Sequence, residues 1–267
     1  MPGHASRCDA GYTLPMQQSH DLVHSPQLNR NVHVWSFGSF GPPLLVFPSA
    51  AGFAHEWKAQ GMVEALAPLL QAGRLKLYCP ESNVSEGWTD KDAHPADRIK
   101  RHQAYEAFIV QTLVPAIRKD CRSPDIPVAV TGCSLGAMFA ATFALKHPDV
   151  FRAALCMSGR YAAKAFTNGF TNGDIYFDDP LAFVPNLDGP PLDRVRQTHL
   201  TLVCGRGKYE EGCIEETIGL AEICRRKSIP HALDLWGRDV SHDWTWWRRQ
   251  VVHHVAGAFG RRIGVHA

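Results

Sequence analysis

The stretch VAVTGCSLGAMFAATFALKHPD, residues 128–149, decides the fold of this chain. A short run of apolar and β-branched residues leads into GCSLG at 132–136, and an alanine-rich segment of helical character follows directly. The pattern G-x-S-x-G between a strand and a helix is typical of a sharp turn that lifts a serine hydroxyl above the end of a sheet. The residues two positions from Ser134 must then be very small, or they would collide in the turn. The sequence therefore predicts that Ser134 is a nucleophile.

Short apolar runs alternate with longer helical patterns from about residue 30 onwards, which favours a mostly parallel sheet with helices on both faces. The predicted strands are 31–37, 43–49, 74–80, 126–132, 152–159, 199–205 and 231–236, and the predicted helices are 57–72, 98–119, 135–147, 213–227 and 244–259. Residues 160–198, rich in Gly, Pro, Asn and Asp, predict an irregular, cap-like insertion. We expect one α/β domain over 21–267, preceded by a flexible segment at 1–20.

Composition narrows the function classes. The chain has 267 residues, 45% of them hydrophobic, a net charge of +2 and no clustered histidine array, so we expect no nucleic-acid partner and no metal. The N-terminus lacks the apolar core of a secretory signal, and the longest apolar run is too short to span a bilayer. The eight cysteines contain no C-x-x-C pair, and this favours a reduced, cytoplasmic location without a membrane partner. The C-terminal stretch VHHVAGAFGRRIGVH is interpreted as a solvated tail in preference to a subunit contact in a homo-oligomer.

A serine of normal pKa needs a general base to act as a nucleophile, and the base needs an acid to orient it. His242 lies in the loop between the last predicted strand and the last predicted helix, where the base of such a site belongs. Its rivals are placed less well: His231 opens a strand, and His253 and His254 lie well inside the last helix. We therefore predict His242 as the base.

The acid is expected in the loop after strand 199–205, which reads RGKYEEGCIEET and contains no aspartate. Glu210 and Glu211 are the candidates, with Glu211 preferred and Glu210 as the alternative. A third interpretation uses Asp239 or Asp243, which are close to the predicted base in sequence.

An acyl-transfer site also needs donors for a developing oxyanion. The backbone N–H of Leu135, at the start of the helix after the serine, supplies one. The second is expected from Ala50 or Ala51, in the loop VFPSAAGFAHEW that follows an early strand. Ser49 in that loop lacks the glycine turn, and Cys133 does not stand at the centre of the pentapeptide, so neither is favoured as the nucleophile.

The chain resembles the α/β-hydrolase esterases of the esterase D type, a group that includes S-formylglutathione hydrolases and bacterial mycolyltransferases. The likeness covers roughly residues 25–260 and rests on the motifs GCSLGA, FALKHPDVFRAALCMSG, GRGKYEE and SHDWTWW, with a weaker match at HQAYEAFIVQTLVPAI. These motifs are specific for the family and poorly specific for the substrate. The resemblance implies an α/β-hydrolase fold and no metal or organic cofactor.

Carried over by position, the resemblance makes Ser134 the nucleophile and His242 the base. Mycolyltransferases have a glutamate at the acid position, which falls on Glu211, whereas most esterases of the group have aspartate there. Trp57 and Trp88 resemble aromatic residues that line the pocket in relatives. Aromatic side chains of the 160–198 insertion are further candidates for pocket lining, namely Tyr161, Phe166, Phe170, Tyr176 and Phe177.

These observations together predict a serine esterase that hydrolyses a small carboxylic ester or thioester through an acyl-enzyme. Two alternatives stay open. An acyltransferase would pass the acyl group to an alcohol or amine instead of water, and a non-catalytic member of the fold would bind a ligand without turnover. The order Ser, acid, His along the chain argues against the second alternative.

Overall fold

The computed structural model describes residues 16–266, and in this part of the chain eight strands form one sheet. The strands are β1 (Gln18–Ser25), β2 (Arg30–Phe37), β3 (Pro43–Phe47), β4 (Lys76–Pro80), β5 (Val128–Cys133), β6 (Phe151–Met157), β7 (His199–Cys204) and β8 (His231–Leu235). Their order across the sheet is β1-β2-β4-β3-β5-β6-β7-β8. Strand β2 pairs antiparallel with β1 and β4, and every other neighbouring pair is parallel. The seven predicted strands and the mostly parallel sheet are confirmed.

Helices cover both faces of this sheet. They are α1 (Glu56–Ala59), α2 (Met62–Ala65), α3 (Ala67–Gln71), α4 (Pro95–Phe108), α5 (Val114–Asp120), α6 (Leu135–Lys146), α7 (Gly173–Phe177), α8 (Pro180–Phe183), α9 (Gly189–Val195), α10 (Cys213–Arg226), α11 (Trp244–Val255) and α12 (Ala258–Ile263). Among the residues described, no helix combines the length and the apolar character needed to cross a membrane.

The buried side chains form two hydrophobic clusters, one on each face of the sheet, because successive strand residues point in opposite directions. In β3, Leu45 and Phe47 belong to the cluster that contains α4, α5 and α6, and Leu44 and Val46 belong to the cluster on the opposite face. The ring of Phe47 meets Phe139 of α6 edge to face, with 5.9 Å between ring centroids. The helix after Ser134 is thereby packed closely against the sheet.

Two predicted helices are interrupted, and each interruption has a local cause. The predicted helix 57–72 is three short helices, because Gly61 takes a left-handed φ of 71° between the first two. The predicted helix 98–119 contains a π-helical turn immediately before α5. Pro115, at the start of α5, has no N–H to bond the carbonyl four residues earlier, so the helical ladder widens there.

Near both ends of the chain, the structure of the described residues differs from what the sequence predicts. Residues 18–20, predicted to be flexible, belong to β1; residues 1–15 lie outside the described part. Strand β1 was not predicted because nearly all of its side chains are exposed, so it carries no apolar pattern. The interpretation of the C-terminal stretch as a solvated tail is wrong: Phe259 and Val265 are buried in the hydrophobic cluster beside α11.

The 160–198 insertion is mostly ordered in short helices, α7 to α9, with two 3₁₀ turns. Asn172 and Asp179 cap α7 and α8 with their side chains, which explains why polar residues that disrupt the helical pattern still begin helices. Ile175 and Phe183 are buried among residues of the cluster that contains α6. The insertion packs against α4, α6 and α10.

Candidate active site

The turn between β5 and α6 has the geometry that the G-x-S-x-G pattern predicts. Ser134 has φ 57° and ψ −121°, a conformation that residues other than glycine rarely adopt. A Cβ atom on Gly132 would lie 2.3 Å from the carbonyl carbon of Gly136, and a Cβ atom on Gly136 would lie 2.4 Å from the carbonyl oxygen of Phe47. Neither position can accept a larger side chain without moving backbone. The prediction that both glycines are sterically required is confirmed.

His242 lies beside this serine, as predicted. Its Nε2 atom is 3.0 Å from Ser134 Oγ, within hydrogen-bond distance. The loop after β8 is fixed at this point, because the backbone N–H of His242 donates to the carbonyl of Lys208 at 3.0 Å. The ring of Trp247 stands edge to face against the imidazole, with 4.8 Å between centroids. The His242 side chain is 19% exposed, so one part of the ring still meets solvent.

The acidic partner of His242 is Glu210, which corrects the preference for Glu211. Glu210 Oε2 lies 3.3 Å from His242 Nδ1, and the residue is only 1% exposed. Glu211 is exposed to solvent. The third interpretation also fails: Asp239 is exposed, and Asp243 is the N-cap of α11, accepting the Thr245 N–H at 2.8 Å.

The conformation of the loop after β7 explains why Glu210 faces His242. Gly207 donates its N–H to the carbonyl of Val240 at 2.8 Å, so the loops after β7 and β8 are in direct contact. A Cβ atom on Gly205 would lie 2.1 Å from that same carbonyl oxygen, so only glycine permits the approach. Tyr209 then takes a φ of 67°, which reverses the chain and turns Glu210 inward.

Three residues not predicted from the sequence support this carboxylate, two by direct hydrogen bonds and one through Ser158. Ser158 Oγ donates to Glu210 Oε1 at 2.6 Å, and Trp247 Nε1 donates to Ser158 Oγ at 3.0 Å. The backbone N–H of Gly205 also donates to Glu210 Oε1, at 3.3 Å. Ser158 is fully buried and has a φ of 53°, immediately after β6. A polar residue at the carboxyl end of a parallel strand is the signal that could have found it.

We expect Ser158→Ala to lower kcat/KM for ester hydrolysis by about ten- to a hundredfold. A hydrogen bond to a charged group contributes about 1.5–3 kcal/mol, and each 1.36 kcal/mol on the barrier is a factor of about ten. Initial rates and urea unfolding would be measured together.

The matched control is Thr198→Val, because Thr198 is also fully buried and donates to a backbone carbonyl away from His242. If both variants lose equal stability but only Ser158→Ala loses rate, the hydroxyl acts through Glu210. An unchanged rate for Ser158→Ala would contradict this role.

The predicted oxyanion donors lie on two adjacent segments. Leu135 is the first residue of α6, where helical N–H groups have no acceptor within the helix. Ala50 and Ala51 are exposed in the loop after β3. Strand β3 pairs directly with β5, the strand that precedes Ser134. Because a Cβ atom on Gly136 would lie 2.6 Å from the carbonyl oxygen of Pro48, this loop begins against the start of α6. The position is suitable for an oxyanion hole, and the role of these N–H groups stays a prediction.

A buried carboxylate fixes the same loop. Glu56, 6% exposed, accepts the backbone N–H of Ser49 at 2.7 Å and its hydroxyl at 2.6 Å. Burial raises the pKa of Glu56, and the bonds from Ser49 only partly oppose that shift. The Ser49 hydroxyl is therefore engaged as a donor to Glu56, which agrees with the view that Ser49 is not the nucleophile.

Three of the predicted pocket residues are core residues instead. Trp57, Trp88 and Tyr161 are all at most 4% exposed and belong to the hydrophobic clusters. Side chains so enclosed have almost no surface left for a substrate, which corrects their prediction as lining. Tyr176 is half-buried, and its hydroxyl accepts from Asn186 Nδ2 at 3.0 Å. Its role at a pocket stays a prediction.

Cys133 is fully buried beside the serine. Burial raises the pKa of its thiol well above the usual range, and the nearby Glu56 raises it further. A thiol that stays protonated is a poor nucleophile. This environment is consistent with Ser134 as the reactive residue of the turn.

The cavities at the opposite edge of the sheet do not reach this site. One has a volume of about 250 Å³ and is lined by Pro43, Val128, Ala153 and His199, which lie at the starts of four parallel strands or just beside them. Ser134 follows the carboxyl end of β5. Ligands of open parallel sheets bind at that carboxyl edge.

Comparisons with known proteins agree with the geometry. The Esterase family model matches residues 41–258. Among solved structures, a ferulic acid esterase superposes with a TM-score of 0.71 at 19% identity, covering 89% of this chain and 95% of that one. The S-formylglutathione hydrolase FrmB of Staphylococcus aureus superposes with a TM-score of 0.67 at 14% identity, covering 93% of this chain and 95% of that one. MPT51 (FbpC1) of Mycobacterium tuberculosis superposes with a TM-score of 0.66 at 17% identity, covering 94% of this chain and 98% of that one. No curated protein sequence matches.

The structural similarities, all below 25% identity, establish the α/β-hydrolase fold. The family match spans most of the chain and includes Ser134, Glu210 and His242. The chain belongs to the Esterase family and is an ester-hydrolysing enzyme of the α/β-hydrolase fold.

Proposed function

We propose that this protein is a serine esterase that cleaves carboxylic esters or thioesters through an acyl-enzyme on Ser134. The observation that carries the proposal is the continuous chain of contacts from Ser134 Oγ to His242 Nε2 at 3.0 Å and from His242 Nδ1 to Glu210 at 3.3 Å. Nucleophile, base and orienting acid are therefore all within reach of one another.

In the first half of the reaction, His242 Nε2 accepts the proton of Ser134 as Oγ attacks the carbonyl carbon. Glu210 accepts a hydrogen bond from Nδ1–H, which holds the tautomer with a free Nε2 and stabilises the imidazolium that forms. The N–H of Leu135, together with that of Ala50 or Ala51, stabilises the oxyanion. The alcohol or thiol then leaves with the proton from His242.

In the second half, water gives a proton to His242 and attacks the acyl group on Ser134, and the acid product leaves. Ser134 and His242 are both partly exposed, so water reaches the place where the acyl-enzyme would form. This exposure supports hydrolysis over transfer to an alcohol or amine, which would require an acceptor site that keeps water out.

The test is pre-steady-state hydrolysis of p-nitrophenyl acetate, followed by rates on a feruloyl ester and on an S-formyl thioester, the substrate types that the names of two structural neighbours suggest. We expect a burst of about one p-nitrophenolate per Ser134, as the acyl group is transferred to the serine. We also expect Ser134→Ala to lower the steady-state rate by about 10⁴-fold or more.

The alternatives give different results in the same assay. Formation of a new ester when methanol is added, at the expense of acid, would identify an acyltransferase. Folded wild-type protein that turns over none of these esters would contradict the proposal.

A further inference from the structure

A second set of ligand atoms meets at the side of His242 that faces away from Ser134. Cys213 Sγ lies 3.9 Å from His242 Nδ1, and the same nitrogen lies 3.3 Å from Glu210 Oε2. One sulfur, one nitrogen and one oxygen ligand atom thus lie within 4.8 Å of one another. Cys213 is the first residue of α10 and is only 4% exposed.

Two of these spacings are close to those of a tetrahedral metal site. Zinc bonds of about 2.0–2.3 Å at tetrahedral angles place neighbouring ligand atoms about 3.3–3.7 Å apart. The distances from His242 Nδ1, 3.3 Å to Glu210 Oε2 and 3.9 Å to Cys213 Sγ, lie at or just beyond this range, and the third pair of atoms lies within 4.8 Å. A mixed set of thiol, imidazole and carboxylate selects a thiophilic cation over Mg²⁺ or Ca²⁺. The thiol of Cys204, 3.4 Å from Glu210 Oε2, places a further sulfur next to this set.

We propose that Cys213, His242 and Glu210 form an inhibitory site for a thiophilic divalent cation such as Zn²⁺ or Cd²⁺. Binding itself depends only on these three side chains. The inhibitory consequence rests on the proposed function, in which His242 is the base.

Binding would inhibit through the tautomer of His242. In the active form Nδ1 carries the proton and Nε2 is free to accept one from Ser134. A cation on Nδ1 displaces that proton, and a neutral imidazole then carries its single proton on Nε2. Cys213 binds as a thiolate and releases its proton to the solvent, and Glu210 exchanges its hydrogen bond for a metal bond. His242 can no longer accept the serine proton, so acylation stops.

Two other clusters in the described residues provide comparisons. Asp234, His253 and His254 also have ligand atoms within 4.8 Å of one another, but they contain no sulfur and lie on β8 and α11. In the cluster of His102, Glu106 and Asp178 the Lys146 ammonium already contacts both carboxylates. The first cluster is the useful control, because it offers imidazole and carboxylate ligand atoms but no thiol.

The binding experiment uses the full chain carrying Ser134→Ala, titrated with Cd²⁺ by calorimetry and by ultraviolet absorption of the cadmium–thiolate bond. We expect one site with a thiolate band. Adding Cys213→Ala should remove the band and weaken binding at that site by at least about tenfold, since loss of outer-shell partners alone has effects of that size. Adding His253→Ala should change neither the thiolate band nor the affinity of the Cys213 site. Equal binding without Cys213, or binding lost only with His253→Ala, overturns the proposal.

The activity experiment measures ester turnover against free Zn²⁺ in a metal buffer, with each protein normalised to its own rate in chelator. We expect wild type and His253→Ala to be inhibited alike, and Cys213→Ala to need at least about tenfold more zinc. Saturated binding without inhibition overturns the inhibitory role. Absence of turnover in chelator contradicts the proposed function instead, and the calorimetric result on the Ser134→Ala chain still decides whether the site exists.

Discussion

Replacing Glu210 by glutamine is expected to lower kcat for ester hydrolysis by about 10³- to 10⁴-fold, the size of effect seen when a triad acid becomes an amide. Glutamine carries no charge to stabilise the imidazolium of His242, and its amide nitrogen favours the tautomer that blocks Nε2. The adjacent substitution Glu211→Gln should change kcat by no more than about twofold, because exposed positions away from special contacts have effects within about 0.5 kcal/mol.

The two neighbouring glutamates make a closely matched pair for this measurement. Thermal unfolding of both variants would show whether the loss of rate accompanies a loss of fold, since Glu210 also accepts from Ser158. A large loss of kcat in Glu211→Gln with full activity in Glu210→Gln would contradict the proposed role of Glu210.

Replacing Lys146 by methionine is expected to destabilise the fold by about 3–5 kcal/mol, the usual result of removing one partner from a buried ion pair. Lys146 Nζ lies 2.6 Å from Glu106 and 2.8 Å from Asp178, whose side chains are 9% and 0% exposed. These groups join the end of α6 to α4 and to the 160–198 insertion. Without the ammonium, two carboxylates would share a buried site. Urea unfolding at neutral pH measures the loss, and the exposed Lys100→Met is the control.

The same cluster predicts a pH dependence. Burial raises the pKa of Glu106, but the hydrogen bond from His147 and the charge of Lys146 outweigh it, so the pKa lies below its usual value. In Asp178 burial likewise raises the pKa, and the bond from His102 and the charge of Lys146 bring it below normal. Folded-state pKa values below the unfolded ones mean that this stability is present above about pH 4–4.5 and is lost as the pH falls through the folded values.

The pKa of Lys146 shifts in the other direction. Burial lowers it, and the two carboxylates more than compensate, so it lies above the usual value. The ammonium is therefore fully charged below about pH 10, and at the acid end its contribution falls only when the two carboxylates become protonated. We expect the free energy of unfolding of wild type to exceed that of Lys146→Met across the range from about pH 5 to 10, and the difference to shrink below about pH 4. A difference that does not vary with pH would contradict the ionic account.

The sheet and the serine turn follow from the sequence because their signals are local. Buried parallel strands read as continuous apolar runs, and the two glycines around Ser134 are required by contacts inside the turn itself. Strand β1 was missed for the complementary reason: it lies at the exposed edge of the sheet, so nothing in its pattern distinguishes it from a loop.

The glutamate that faces His242 could not be predicted because its orientation depends on backbone direction. Glu210 and Glu211 are adjacent and chemically identical, and only the φ of 67° at Tyr209 turns the first inward. The role of Ser158 depends on tertiary packing in the same way, since its partners Glu210 and Trp247 are far away along the chain. The burial of Trp57 was likewise set by helices that pack from distant parts of the sequence.

We propose that His242 and Glu210 activate Ser134. Its most direct test is the intact mass of the protein after reaction with a fluorophosphonate, which phosphonylates an activated serine and releases fluoride. We expect one adduct on wild type, located on Ser134 by peptide mapping, and none on folded Ser134→Ala or His242→Ala. A folded wild-type protein that does not react, or an adduct that persists on Ser134→Ala, would show that the reactive group is not the serine of this turn.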